Sequence, residues 1–70
     1  MMDATYIGSV LRALRGEKSQ NEVSAALGVT KSSWSMYERG ERIPRDEIKI
    51  EIANYFGKTV QEIFFSNVEH

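Results

Sequence analysis

Residues 19–44, SQNEVSAALGVTKSSWSMYERGERIP, decide how this chain folds. Ser19 and Glu22 have the spacing of a capping box, in which a hydroxyl serves one early backbone N–H of a helix and a carboxylate reaches back to another. A helix therefore starts at this point, turns Val23, Ala26 and Leu27 inward, and stops at Gly28, which can take the left-handed conformation of a helix end. Only Val29 separates Gly28 from Thr30, a good N-cap, so a further helix is predicted from Lys31 to Arg39, closed by Gly40. Glu41 to Pro44 is a turn, and Pro44 marks where the chain can re-enter a helix.

On the N-terminal side, Ile7, Val10, Leu11 and Leu14 fall at i, i+3, i+4 and i+7, the face of an amphipathic first helix from Tyr6 to Glu17. On the C-terminal side, Ile48, Ile52, Ala53 and Phe56 repeat at helical spacing as far as Gly57. Thr59 with Glu62 forms a second capping box, which opens a short fifth helix through Phe65. No alternating apolar run bounded by turn residues suggests a strand. The expected fold is all-α, a compact bundle of five helices over residues 6–65, with an N-terminal extension over 1–5 and a C-terminal tail over 66–70.

Seventy residues allow one such domain, because a chain this short buries only about 60% of the surface its unfolded form exposes. With no cysteine and one histidine, neither disulfides nor a zinc cluster supplements the core, and no cofactor is expected. No apolar run reaches the length of a membrane span, and Met1 to Tyr6 lack the order of a signal peptide, so a cytoplasmic protein without a membrane partner is expected. The net charge of −1 and pI near 5.8 speak against nucleic-acid binding, which usually needs excess Lys and Arg. Their distribution speaks for it. Arg12, Arg15, Lys18, Lys31, Arg39, Arg42, Arg45 and Lys49 cluster in one part of the chain, although Glu17, Glu22, Glu38, Glu41, Asp46 and Glu47 share that stretch.

The second and third helices, joined by a short turn containing glycine, have the spacing of a helix-turn-helix unit. Where two such helices cross, a small residue is needed, and Ser24 occupies that place. At about 100° per residue, the third helix puts Trp34 and Tyr37 on one side and Ser32, Ser35, Met36 and Arg39 on the other. Trp34 and Tyr37, with Val29, anchor the helix. The opposite face, preceded by Lys31, is short enough to enter a major groove and touch base edges. Taken alone, its serines read better as a solvated face than as base contacts; the turn geometry favours the functional reading. Helix starts at Ser19 and Gln20, and at Thr30 and Ser33, offer N–H groups to phosphates, while Arg39, Arg42 and Arg45 can grip the backbone.

These residues resemble the phage repressor and Cro type of helix-turn-helix protein, the xenobiotic-response-element family. The likeness runs from Ile7 to Phe64, through the stretch quoted above and into IANYFGKTVQEIFF. Its strongest elements are Gln20, Gly28, and Glu38-Arg39-Gly40 followed by Pro44. The resemblance implies a lambda-repressor-like DNA-binding domain. It also implies that Gln20 binds a phosphate, that Lys31, Ser32 and Met36 face bases, that Ser33 touches backbone, and that Glu38 pairs with Arg15. The chain departs from the family pattern in a shorter link between Arg15 and Gln20, in Ser24 for a common alanine, and in Trp34 for a branched aliphatic.

One recognition helix reads few base pairs, so a homodimer on a near-palindromic double-stranded operator is expected, with Val60, Phe64 and Phe65 as interface candidates. The predicted function is a transcriptional regulator, a repressor, with no small-molecule ligand. The rival reading is a protein-interaction module, an antitoxin or adaptor, that keeps the same fold. An enzyme is not expected: His70 lies on the tail, and Asp46 with Glu47 most simply complements the positive end of the fourth helix.

Overall fold

The computed structural model describes residues 3–65, and the tail expected over 66–70, His70 included, lies outside them. Among the described residues five helices follow one another: α1 (Ala4–Arg15), α2 (Gln20–Leu27), α3 (Lys31–Glu38), α4 (Asp46–Phe56) and α5 (Val60–Phe64). No strand occurs among the described residues.

The first helix begins earlier than its apolar periodicity predicts. Asp3 takes an extended backbone, and its carboxylate accepts from the N–H groups of Thr5 at 3.0 Å and Tyr6 at 3.2 Å. An acidic N-cap also complements the positive end of the helix dipole. The extension expected over 1–5 thus contributes Ala4 and Thr5 to α1, which ends at Arg15 rather than Glu17.

Both connections around α3 form as the glycines and hydroxyls dictate. Gly28 adopts φ 72° and ψ 25°, the left-handed region, and the Val29 N–H donates to the Ser24 carbonyl at 3.0 Å. Thr30 Oγ1 then accepts from the Ser33 N–H at 3.0 Å. Helix α3 closes at Glu38, one residue before the expected end, with Arg39 as its C-cap. Thr59 and Glu62 form the complete reciprocal box at α5, which closes at Phe64 with Phe65 as C-cap. The box at α2 is half-formed. Ser19 Oγ accepts from the Glu22 N–H at 3.0 Å, while the Glu22 carboxylate lies 3.8 Å from Lys18 Nζ.

The core joins Ile7 and Leu11 of α1, Val23 and Leu27 of α2, Trp34 and Tyr37 of α3, Ile52 and Ala53 of α4, and Ile63 and Phe64 of α5. Ala26, expected inside, is exposed, because Val23 and Leu27 already define the inward stripe of this short helix. Helix α3 packs on both α1 and α2, and α5 returns against α1 and α4. Gly8 makes the α1–α3 approach possible: a Cβ there would collide with the backbone carbonyls of Tyr37 and Glu38. Ser24, expected where α2 and α3 cross, is buried and donates from Oγ to the Asn21 carbonyl at 3.2 Å. The outer side of α3 is left uncovered.

Candidate nucleic-acid interface

Helix α3 is anchored through a buried carboxylate. Arg15 donates from Nε to Glu38 Oε2 at 2.5 Å and from Nη2 to Oε1 at 3.0 Å, and its Nη1 donates to the Lys18 carbonyl at 2.8 Å. Gln20 Nε2 donates to Glu38 Oε1 at 3.1 Å, and the Trp34 indole N–H donates to Oε2 at 2.5 Å. One carboxylate thus ties the end of α1, the start of α2 and the middle of α3 together. Burial pushes the Glu38 carboxyl up, but hydrogen bonds from Arg15, Gln20 and Trp34, with the charge of Arg15, outweigh it and hold the group below the usual range. The same hydrogen bond raises the Arg15 guanidinium above its ordinary value.

Two of these partners go beyond the sequence reading. Trp34 is fully buried, stacks edge-on to Tyr37 with centroids 6.1 Å apart, and supplies a donor that a branched aliphatic lacks. Gln20, expected on a phosphate, spends one amide N–H on Glu38 and is half-buried. Its second N–H and its carbonyl remain for an outside partner.

The candidate base-reading residues share one uncovered face. Lys31 and Ser32 are exposed, and Ser35 and Met36 are half-exposed. Of the expected phosphate contacts, Ser33, Arg42 and Arg45 meet Thr30 around a groove of about 460 Å³ beside the start of α3, with Val29 and Ile48 also lining it. Ser19 stands apart from that groove at the start of α2, its hydroxyl occupied in capping. Arg39 lies on the α3 face, and its guanidinium is held by Ser35 and Glu41.

Acidic residues interleaved with the basic ones are largely accounted for by pairing. Glu41 takes Arg39 at 3.0 Å, Glu38 takes Arg15, Asp46 takes Lys49 at 3.3 Å, and Glu47 lies 4.0 Å from Arg45. Among the described residues, Lys31 and Arg42 have no carboxylate within ion-pairing distance. The surface around α3 therefore presents unneutralised positive charge despite the overall balance. Lys49, counted with that basic set from sequence, is instead buried, with Nζ 5.8 Å from the ring centres of Phe64 and Phe65.

Of the interface candidates, Phe64 is corrected: it has no exposed surface and completes the core between α4 and α5. Val60 and Phe65 are half-buried at its margin. Among the described residues no helix is long and apolar enough to cross a membrane, and no cluster of His, Cys, Asp and Glu could hold a metal ion.

Residues 11–63 match the model of the helix-turn-helix family. Solved structures with this fold include the restriction-modification controller protein C.AhdI from Aeromonas hydrophila, 28% identical, with a TM-score of 0.80 over 89% of this chain and 97% of that one. The DNA-binding domain of BldD is 29% identical, with a TM-score of 0.72 over 89% of this chain and 93% of that one. The clp gene regulator ClgR from Corynebacterium glutamicum is 24% identical, with a TM-score of 0.76 over 86% and 80% of the two chains. A search of curated proteins finds no match.

Proposed function

The chain belongs to the helix-turn-helix family, in its phage repressor and Cro branch, and from that premise we propose that it is a sequence-specific regulator of transcription acting on double-stranded DNA. The observation that carries this reading is the outer side of α3. Its short polar side chains lie uncovered beside a groove where Thr30, Ser33, Arg42 and Arg45 converge. Such a face admits a major groove, and hydroxyls and arginines at its flank suit the phosphates beside it. Likeness to a restriction-modification controller protein and to a DNA-binding domain supports the same reading.

In mechanism, Lys31, Ser32, Ser35 and Met36 select bases. Ser33, Arg42 and Arg45 hold the backbone, with Ser19 and Gln20 at the start of α2 as further phosphate contacts. The Arg15–Glu38 pair keeps α3 at a fixed angle to α1 and α2 while its outer face is in the groove. Two copies occupy a near-palindromic operator, meeting through Val60 and Phe65, and repress by excluding polymerase from the promoter.

The test is selection of bound sequences from a random duplex library by the purified protein at physiological salt. Enrichment of a two-fold symmetric motif is the expected result. Absence of any enrichment would overturn the reading in favour of a module that holds another protein through the same surface.

A further inference from the structure

The Arg39 guanidinium is not a free surface cation. Its Nε and Nη2 donate to Glu41 Oε2 and Oε1 at 3.0 and 3.1 Å, and its Nη1 donates to Ser35 Oγ at 2.6 Å. The bond to Ser35 draws the side chain back one turn, toward the start of α3, as side chains at a helix end tend to lie. That places the group on the face shared by Ser32, Ser35 and Met36. Each guanidinium carries five N–H donors. Glu41 takes one from Nε and one from Nη2, and Ser35 takes one from Nη1, so one N–H remains on each terminal nitrogen.

Two chemistries could use those remaining donors, and charge separates them. Phosphate binding draws on Coulomb attraction, which a paired carboxylate largely cancels, and Glu41 would itself be repelled by a phosphate brought to Arg39. Guanine presents two neutral acceptors, O6 and N7, in the major groove, and needs directed donors rather than net charge. The pair with Glu41 raises the Arg39 guanidinium and lowers the Glu41 carboxyl from their ordinary values, so both stay ionised as the base arrives.

We propose that Arg39 reads a guanine edge in each half-site, and that Glu41 is a positioning residue that fixes the guanidinium against Ser35 for that contact. This rests on the DNA-binding reading of α3 and replaces a backbone role for Arg39 with a base-specific one. Ser35 then acts through Arg39, as the acceptor that sets how far back the side chain folds.

The test compares the wild type with Arg39→Lys and Glu41→Gln in the same random-duplex selection, followed by titration of duplexes with and without the selected guanine. All three proteins are first checked for equal helical content and thermal midpoint, which these exposed positions should leave unchanged. The wild type should select guanine at one position per half-site, with a preference of about tenfold or more over other bases. Arg39→Lys keeps the charge but loses the planar fork, so that preference should fall while binding to random duplex persists. Glu41→Gln should weaken the preference for guanine, while the gain in affinity from the lost carboxylate charge is shared by all duplexes. An undiminished guanine preference in Arg39→Lys or in Glu41→Gln would overturn the proposal and leave the regulator reading standing. No selection by the wild type would overturn both.

Discussion

Glu38 concentrates more of this structure's polar energetics than any neighbouring residue. Its carboxylate, with the side chain only 5% exposed, receives donors from Arg15, Gln20 and Trp34. Removing one partner of such a buried group strands the others, a loss of about 3–5 kcal/mol in comparable pairs. Arg15 keeps some contact with water at 17% exposure, so Glu38→Gln is expected at the lower end, about 3 kcal/mol at neutral pH. Urea unfolding followed by fluorescence of Trp34, the sole tryptophan, checks this; a variant as stable as the parent would contradict it. The pH dependence has a defined sign. Because the folded carboxyl is held below its unfolded value, the stability it contributes is fully present above the ordinary carboxyl range and is lost as pH falls through that range toward the folded value. The parent should lose stability over that acid range more steeply than Glu38→Gln.

At the scale of elements, two glycines should respond to alanine for different reasons. Gly28 has φ 72° with open space around an added Cβ, so Gly28→Ala meets only the left-handed penalty, about 1–2 kcal/mol. Gly8 has ordinary helical dihedrals, but an added Cβ would strike the Tyr37 and Glu38 carbonyls. Backbone cannot yield as a side chain can, so Gly8→Ala should cost about 3 kcal/mol, even after the better helix propensity of alanine. Denaturation midpoints should place Gly8→Ala below Gly28→Ala; the reverse order would mean that α1 slides on α3 without loss. This contrast also marks how far the sequence could be read. Gly28, Thr30 and the second capping box follow from local chemistry and are legible as letters. Gly8 follows from the approach of two helices distant in sequence, which no local pattern encodes. The same limit hides the Gln20 and Trp34 bonds to Glu38 and the Glu41 clasp on Arg39, whereas the uncovered face of α3 follows from its wheel alone. It also explains why Phe64, apolar and near the end of the described chain, reads like an interface residue yet closes the core.

For the whole molecule, the net charge of −1 matters less than where pairing leaves charge free. Arg42 lacks a carboxylate partner among the described residues, and Arg45 has Glu47 only at 4.0 Å. If both neutralise phosphates, Arg42→Ala and Arg45→Ala should each lower the slope of log affinity against log salt by about 0.9 on all duplexes alike. A loss confined to one sequence would assign them to bases. Size then bears on assembly. The described residues span 35 × 23 × 22 Å, and recognition helices on successive half-sites lie about 34 Å apart. Copies bound at that spacing meet if their long axes lie in line, and the half-buried Val60 and Phe65 offer apolar surface that Phe64 does not. Replacing both Val60 and Phe65 with serine should therefore leave affinity for a single half-site unchanged. It should weaken binding to the paired site by about 100-fold, the gain that linked binding supplies. Gel-shift titration on one-site and two-site duplexes reads the two affinities separately. Equal loss on both duplexes would mean that these residues support the fold of α5, and undiminished cooperativity would place the contact between copies on another face.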